Sequence, residues 1–261
     1  MPELHVVSWQ DHGAKRWVSP ASFAFTANDQ WVAVGLAEVP RVAMLLPLAF
    51  ARVENTYVPV ALLGFKPGQN LVVDPEGRWR VDYVPLRYRS HPFRVARNAD
   101  GQYVLCVLSG SPLVTDGPLG NRFFDDDRKP AEQATAIASA LLQLEGDRSN
   151  FQKAAAILAE HEVFEPWAFR VQEADGITTY DALFRLSEAR LNALPAEPLE
   201  ALRNCGGLML AYAHLFSTQH VPALAAAAPR SAWSKQQPEP PRQVAALNIV
   251  DDNGTLSFAH L

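Results

Sequence analysis

Two rhythms of apolar residues run along the chain, one of period two and one near 3.6, and they alternate in blocks. Val58 to Phe65 is a nearly continuous apolar run closed by Lys66-Pro67-Gly68-Gln69. It predicts a buried strand and a turn, with Asn70 to Val73 returning as the hairpin partner. From Arg78 to Leu86 the residues alternate, with Trp79, Val81 and Tyr83 on one face and Arg78, Arg80 and Asp82 on the other. That pattern predicts a half-buried antiparallel strand. Phe93 to Ala96 and Gln102 to Leu108 predict a second hairpin, turned by Asn98-Ala99-Asp100-Gly101.

Helical spacing takes over elsewhere. Val34 to Leu46 predicts a helix with Pro40 in its first turn and Pro47 as its stop. Ala134, Ile137, Ala138, Leu141 and Leu144 share one helical face, as do Phe151, Ala154, Ala155 and Leu158. Gly146-Asp147 between these groups predicts two helices, with Asp147 as the N-cap of the second. Trp167 to Gln172 and Ile177 to Leu183 return to strands around Asp175-Gly176. Short helices are then expected at Ser187 to Ala193, with Ser187 as N-cap, at Pro198 to Asn204, at Leu208 to Ser217 and at Val221 to Ala228.

The pattern breaks at Pro229. Pro229 to Arg242 is poor in aliphatics and carries Pro238, Pro240 and Pro241, the composition of an extended linker. Beyond it Leu247 to Val250 and Thr255 to Phe258 flank Asn253-Gly254, a strong hairpin signal. A lone two-stranded hairpin is marginal in water, so it is expected to dock on a sheet edge of its own chain or of another copy. The expected class is therefore α+β, a mainly antiparallel sheet of hairpins packed against a set of short helices. The expected division is a domain over residues 1–228, a linker over 229–243 and a tail hairpin over 244–261.

Composition narrows the function. The 261 residues carry a net charge of -5, so binding to nucleic acid through bulk charge is not expected. The longest apolar stretches, Val42 to Phe50 and Leu208 to Phe216, are far shorter than the roughly 20 residues that span a bilayer. Asp11, His12 and Lys15 sit where a signal sequence needs aliphatics, and a cytoplasmic location is expected. The 2 cysteines, Cys106 and Cys205, have no CxxC spacing and are expected as buried, reduced thiols.

Particular segments also carry a resemblance. Pro59-Val60-Ala61-Leu62-Leu63-Gly64-Phe65 with Gly68-Gln69-Asn70-Leu71, and Tyr83-Val84-Pro85 with His91-Pro92-Phe93, resemble the SapC family of bacterial proteins. Leu183 to Leu194 and Ala211-Tyr212-Ala213-His214-Leu215-Phe216-Ser217 continue it, over roughly Ala33 to Leu224. The resemblance implies a link to surface-layer protein or peptide transport, and a gene neighbourhood with halogenases, cupin-like proteins and outer-membrane receptors. It implies no catalytic residues. A permease of similar name is excluded for want of spanning helices.

Candidate chemistry is sparse. There is no GxGxxG, no GxxxxGK[ST] and no GxSxG, and none of the 7 histidines opens a facial triad of the iron-oxygenase kind. His161-Glu162-Val163-Phe164-Glu165 spaces His and Glu as on a zincin helix, but Pro166 follows at once, and a histidine at a helix C-terminus needs no metal. Asp125-Asp126-Asp127 lacks the alternation and the Gly turn of a calcium loop and reads as a solvated loop before a helix. His214, between Tyr212 and Phe216, reads as a buried, hydrogen-bonded histidine. No metal or cofactor is expected.

The informative stretch is Arg78 to Arg97, where six arginines meet a single acid, Asp82. Arginine forks suit carboxylate or phosphate, and interleaved rings can stack or pack an alkyl chain. The alternative is a solvated sheet face on which arginine stems cover apolar strands. Tyr83, Arg87, Tyr88, Arg89, His91 and Arg94 are the candidate ligand-binding residues. The expected function is a soluble accessory or binding protein acting on a peptide, a protein client or a partner enzyme, with self-assembly through the tail as a further option. The alternative is an enzyme of unrecognised type whose site unites His91, His214 and a carboxylate.

Overall fold

Strand Leu48–Val53 turns through Glu54 and Asn55 into strand Thr56–Leu62, and this hairpin is the middle of the main sheet in a computed structural model that describes residues 3–228. Glu54 takes φ 54°, the left-handed value that tight hairpins ask of a central turn residue. Strand Leu183–Leu186 joins Leu48–Val53 on one side, followed outward by Phe164–Pro166, and Trp31–Ala33 joins Thr56–Leu62 on the other. All these pairings are antiparallel. A second sheet holds the hairpin Phe93–Arg97 and Tyr103–Leu108, with Leu4–Val6 added to its edge. Smaller ribbons complete an α+β fold.

Pro59 sits inside a central strand, and register explains why this is tolerated. Leu62 N donates to Pro47 O at 2.8 Å, so the hydrogen-bonded pairs of this ladder fall on the even residues of Thr56–Leu62. Pro59 faces the other side, where its carbonyl accepts from Val34 N at 3.2 Å and a single ladder bond, the one its absent N–H would donate, is given up. Beyond Val34 the chain leaves the sheet for a 3₁₀ turn over Leu36–Glu38. The next outward-facing residue, Tyr57, therefore has a backbone N–H and C=O on an open edge.

A single helix, Glu132–Glu160, crosses both cores. Phe151, Ala154 and Leu158 pack in the larger core with the main sheet, while Leu141 packs in a smaller one with Trp17, Phe93 and Phe123. Helix Gly207–Ser217 closes the larger core, with Leu210 and Ala211 buried. Among the described residues no helix is long and apolar enough to cross a membrane. Both cysteines are buried free thiols.

Four predicted elements are corrected. Val34–Leu46 is a 3₁₀ turn and a short helix, Val39–Ala43, and Leu48–Val53 is a strand that apolar continuity hid. The hairpin partner of Thr56–Leu62 is this strand rather than Asn70–Val73. Arg78–Leu86 forms no strand beyond the bridge between Val73 and Trp79. There the Trp79 indole donates to Tyr83 O at 2.9 Å and the Glu38 carboxylate accepts from Leu86 N at 2.6 Å, taking over what ladder partners would have supplied. The two helices around Gly146 are one, and Asp147 reaches sideways to accept from Ala37 N at 3.4 Å. The linker and tail hairpin lie outside the described residues.

Gly146 is exposed in mid-helix, and a Cβ there would meet nothing within 4 Å. Gly146→Ala is expected to stabilise the protein by about 0.5–1 kcal/mol through helix propensity, read as a raised midpoint in denaturant unfolding.

Candidate functional site

The arginine-rich stretch condenses into one helical turn, Leu86–Arg89, followed by a cis His91–Pro92 peptide and the strand Phe93–Arg97. Glu38 pins it. This buried carboxylate accepts from Leu86 N at 2.6 Å and from the Tyr83 hydroxyl at 2.7 Å through one oxygen, and from Gly35 N at 3.1 Å through the other. Tyr88 is buried on the opposite side, donating to Asp29 Oδ2 at 2.7 Å.

So fixed, the turn divides the candidate residues between two faces. Arg87, Tyr88, His91 and Arg94 line a cleft of about 930 Å³. Across it stand Tyr57, Val58 and Pro59 of the main sheet, and Leu144, Arg148 and Phe151 of the long helix. Tyr83 and Arg89 face a smaller hollow of about 410 Å³ with Glu38 and Arg41. There the guanidinium carbons of Arg41 and Arg89 lie 5.6 and 5.8 Å from the Tyr83 ring centre. The structure does not unite the six candidates in one site.

The cleft's electrostatics follow from burial. Arg94 is half-buried, its Nη1 donates to Phe93 O at 2.7 Å, and it has no carboxylate partner among the described residues. Burial, with the neighbouring Arg87 charge, brings its pKa down to about 10. His91 stacks on Phe25 at 4.2 Å between ring centres, with its Nδ1 buried and unpartnered among the described residues. Burial and the Arg94 charge push its pKa below the usual histidine value. Tyr83, in its hollow, is pushed up to about 12 by burial and by the Glu38 carboxylate that its hydroxyl meets. Two of the other arginines are engaged elsewhere: Arg78 with Asp74 at 2.7 Å and Glu76 at 3.1 Å, and Arg97 4.6 Å from the Tyr103 ring centre.

The remaining candidates have structural work. His214 is fully buried, with Nδ1 2.9 Å from Leu48 O and Nε2 accepting from Leu186 N at 3.0 Å. Both contacts are met by the tautomer protonated on Nδ1. Its ring lies away from the cleft, against Phe50 and Trp167, so His91 and His214 do not share a pocket. The long helix ends at Glu160, and Glu165 pairs with Arg185 at 2.7 Å instead of standing beside His161 on a helix. Asp125 folds its loop by accepting from Asp127 N and Lys129 N, and Asp126 pairs with Arg122. Among the described residues no group of three His, Cys, Asp or Glu side chains is placed to hold a metal ion.

Sequence reasoning missed Phe25, Asp29, Tyr57 and Glu38. Glu38 left a signal, as the only acid in the apolar run Val34 to Leu46. The others left none, because they come from segments that only folding brings to the arginines.

No curated protein matches the chain, and no solved structure does. The sequence model of the SapC family matches residues 7–224, most of the chain, starting well before the resemblance that begins at Ala33, and the protein belongs to the SapC family.

Proposed function

We propose that this protein is a binding module that holds an extended peptide segment of a client chain in the cleft between the main sheet and the arginine turn. The observation that supports this most is the open strand edge at Tyr57, whose backbone N–H and C=O face the cleft without a partner among the described residues. A strand edge is a template for main-chain pairing, which gives affinity independent of sequence, while flanking side chains give preference. Phe25, 44% exposed and backed by His91 and Tyr88, offers an apolar wall to a client side chain. The link to surface-layer protein or peptide transport that the family resemblance implies would make the client a chain bound for export, met in the cytoplasm.

The test is retention of an immobilised library of decapeptides. Tyr57→Pro deletes the edge donor while sparing the ladder, since position 57, like Pro59, does not donate to Leu48–Val53. Losing that one backbone hydrogen bond is expected to weaken retention up to about tenfold. Tyr57→Phe, which keeps the backbone, is expected to bind as the parent does. Equal retention by the proline variant, with its thermal unfolding unchanged, would count against this reading.

A further inference from the structure

We infer that Arg87, Arg94 and the ring of His91 form a carboxylate site that takes the free C-terminus of the peptide held in this cleft, with Phe25 as the wall for its last side chain, a site that rests on the peptide-binding reading. Arg94 carries the case. A guanidinium half removed from water costs free energy unless something negative meets it, and the only acceptor it has among the described residues is the carbonyl of Phe93. Its fork has donors to spare for a second oxygen pair. Arg87 stands on the same wall, exposed and without an ion-pair partner among the described residues, so the two guanidiniums repel until an anion lies between them.

Charge counting favours one negative charge over two. Arg87, Arg94 and Arg148 line the cleft, and so do Asp29, Glu54 and Glu145. Glu145 is engaged with Arg148 at 3.8 Å, and Asp29 accepts from the Tyr88 hydroxyl but keeps its charge, so three cations stand against three carboxylates and the positive character is local to Arg87 and Arg94. A monoanionic carboxylate meets that local pair of guanidiniums with the smaller repulsion from the three carboxylates of the cleft, and a phosphate dianion with the larger. The exposed face of Phe25, behind which His91 is stacked at 4.2 Å, then sets an apolar group beside the anion.

His91 adds a proton dependence. Its Nδ1 is buried with no partner among the described residues, and burial beside Arg94 disfavours the charged ring. The other charged or titratable groups lining the cleft around it are Asp29, Arg87 and Tyr88 nearby and Glu54, Tyr57, Glu145 and Arg148 on the opposite elements. A bound carboxylate reverses the balance at His91 and draws a proton onto it, so binding and proton uptake are linked.

Calorimetric titration with N-acetyl-leucine, N-acetyl-leucinamide and inorganic phosphate tests the site, beside retention of one decapeptide library in free-acid and amidated forms. The acid is expected to bind at least about tenfold tighter than the amide. It is expected to tighten several-fold from pH 7.5 to 5.5, with His91→Asn flattening that slope. Arg94→Gln is expected to lose about tenfold, and Arg94→Lys, which keeps the charge and the fold but not the fork, several-fold. If acid and amide bind alike, or phosphate binds more tightly than N-acetyl-leucine, the carboxylate site is wrong. If both libraries are retained equally, the peptide cleft stands and the C-terminal site falls. If neither library is retained, both readings fall.

Discussion

His214→Ala is expected to lower the unfolding free energy by about 3–5 kcal/mol, the sum of two orphaned backbone groups and the cavity left by a buried ring. The reason lies in how strands Leu48–Val53 and Leu183–Leu186 meet. Their pairing runs from Ala51 and Leu183 to Phe50 and Phe184 and then stops. Where the strands diverge, the imidazole enters between them, Nδ1–H to Leu48 O and Nε2 from Leu186 N, and completes the ladder with a side chain. Ser217, one turn further along the same helix, accepts from Leu48 N at 2.8 Å and donates to His214 O at 2.7 Å. Alanine leaves Leu186 N–H and Leu48 C=O buried without partners. Urea unfolding of parent and variant measures the difference.

The same residue makes stability depend on pH, with a defined sign. Burial, as the main cause, pushes its pKa in the folded state to about 4, against 6.5 for a free imidazole. The native form therefore binds fewer protons than the unfolded chain between those values. Its contribution is fully present above pH 6.5 and is lost as pH falls to about 4, amounting to about 3 kcal/mol across that window. Thermal midpoints taken from pH 7 to pH 4 should fall more steeply for the parent than for His214→Ala. Parallel curves would show that the imidazole does not stay neutral in the fold.

Glu38→Ala is the second large effect, at about 2–4 kcal/mol, because it strands the N–H groups of Gly35 and Leu86 beneath the arginine turn. Glu38→Gln keeps the shape but has only one acceptor oxygen, and its amide would face one of these donors with another. It is expected to cost about 1–2 kcal/mol. Both variants free the turn that positions Arg87, His91 and Arg94. Loss of stability should therefore come with weaker binding of N-acetyl-leucine at temperatures where the variant is still folded. Unchanged unfolding in urea for Glu38→Ala would remove this carboxylate as the anchor.

How far the fold could be read from residues depended on whether a signal was local. Phe93–Arg97 and Tyr103–Leu108 announced themselves through alternation and the Gly101 turn. Helix Gly207–Ser217 did so through its continuous apolar run. Leu48–Val53 was hidden because Leu48 to Ala51 are buried on both faces and the strand turns on Glu54-Asn55, which lacks the glycine that marks a tight hairpin. Arg78–Leu86 alternates like a strand, yet its backbone groups are met by an indole and by a carboxylate from a distant segment. Such partners leave no period in the sequence. The break expected at Gly146 failed for a related reason: a penalty of about 1 kcal/mol for glycine is small beside burial of Leu141, Phe151 and Leu158 on either side of it. For the candidate site, composition located Arg87, Tyr88, His91 and Arg94 as a cluster. It could not show that Tyr83 and Arg89 turn to the opposite face, nor that the cleft borrows its open edge from Tyr57.

The unbroken helix has a bearing on all of this. Its first half is held in one core by Leu141 and its second half in the other by Phe151 and Leu158, while Leu144, Glu145, Arg148 and Phe151 from its middle form one wall of the cleft. Helices fray from their ends, and here each end is secured by a different core. This wall of the cleft is thus built on the turns expected to loosen last.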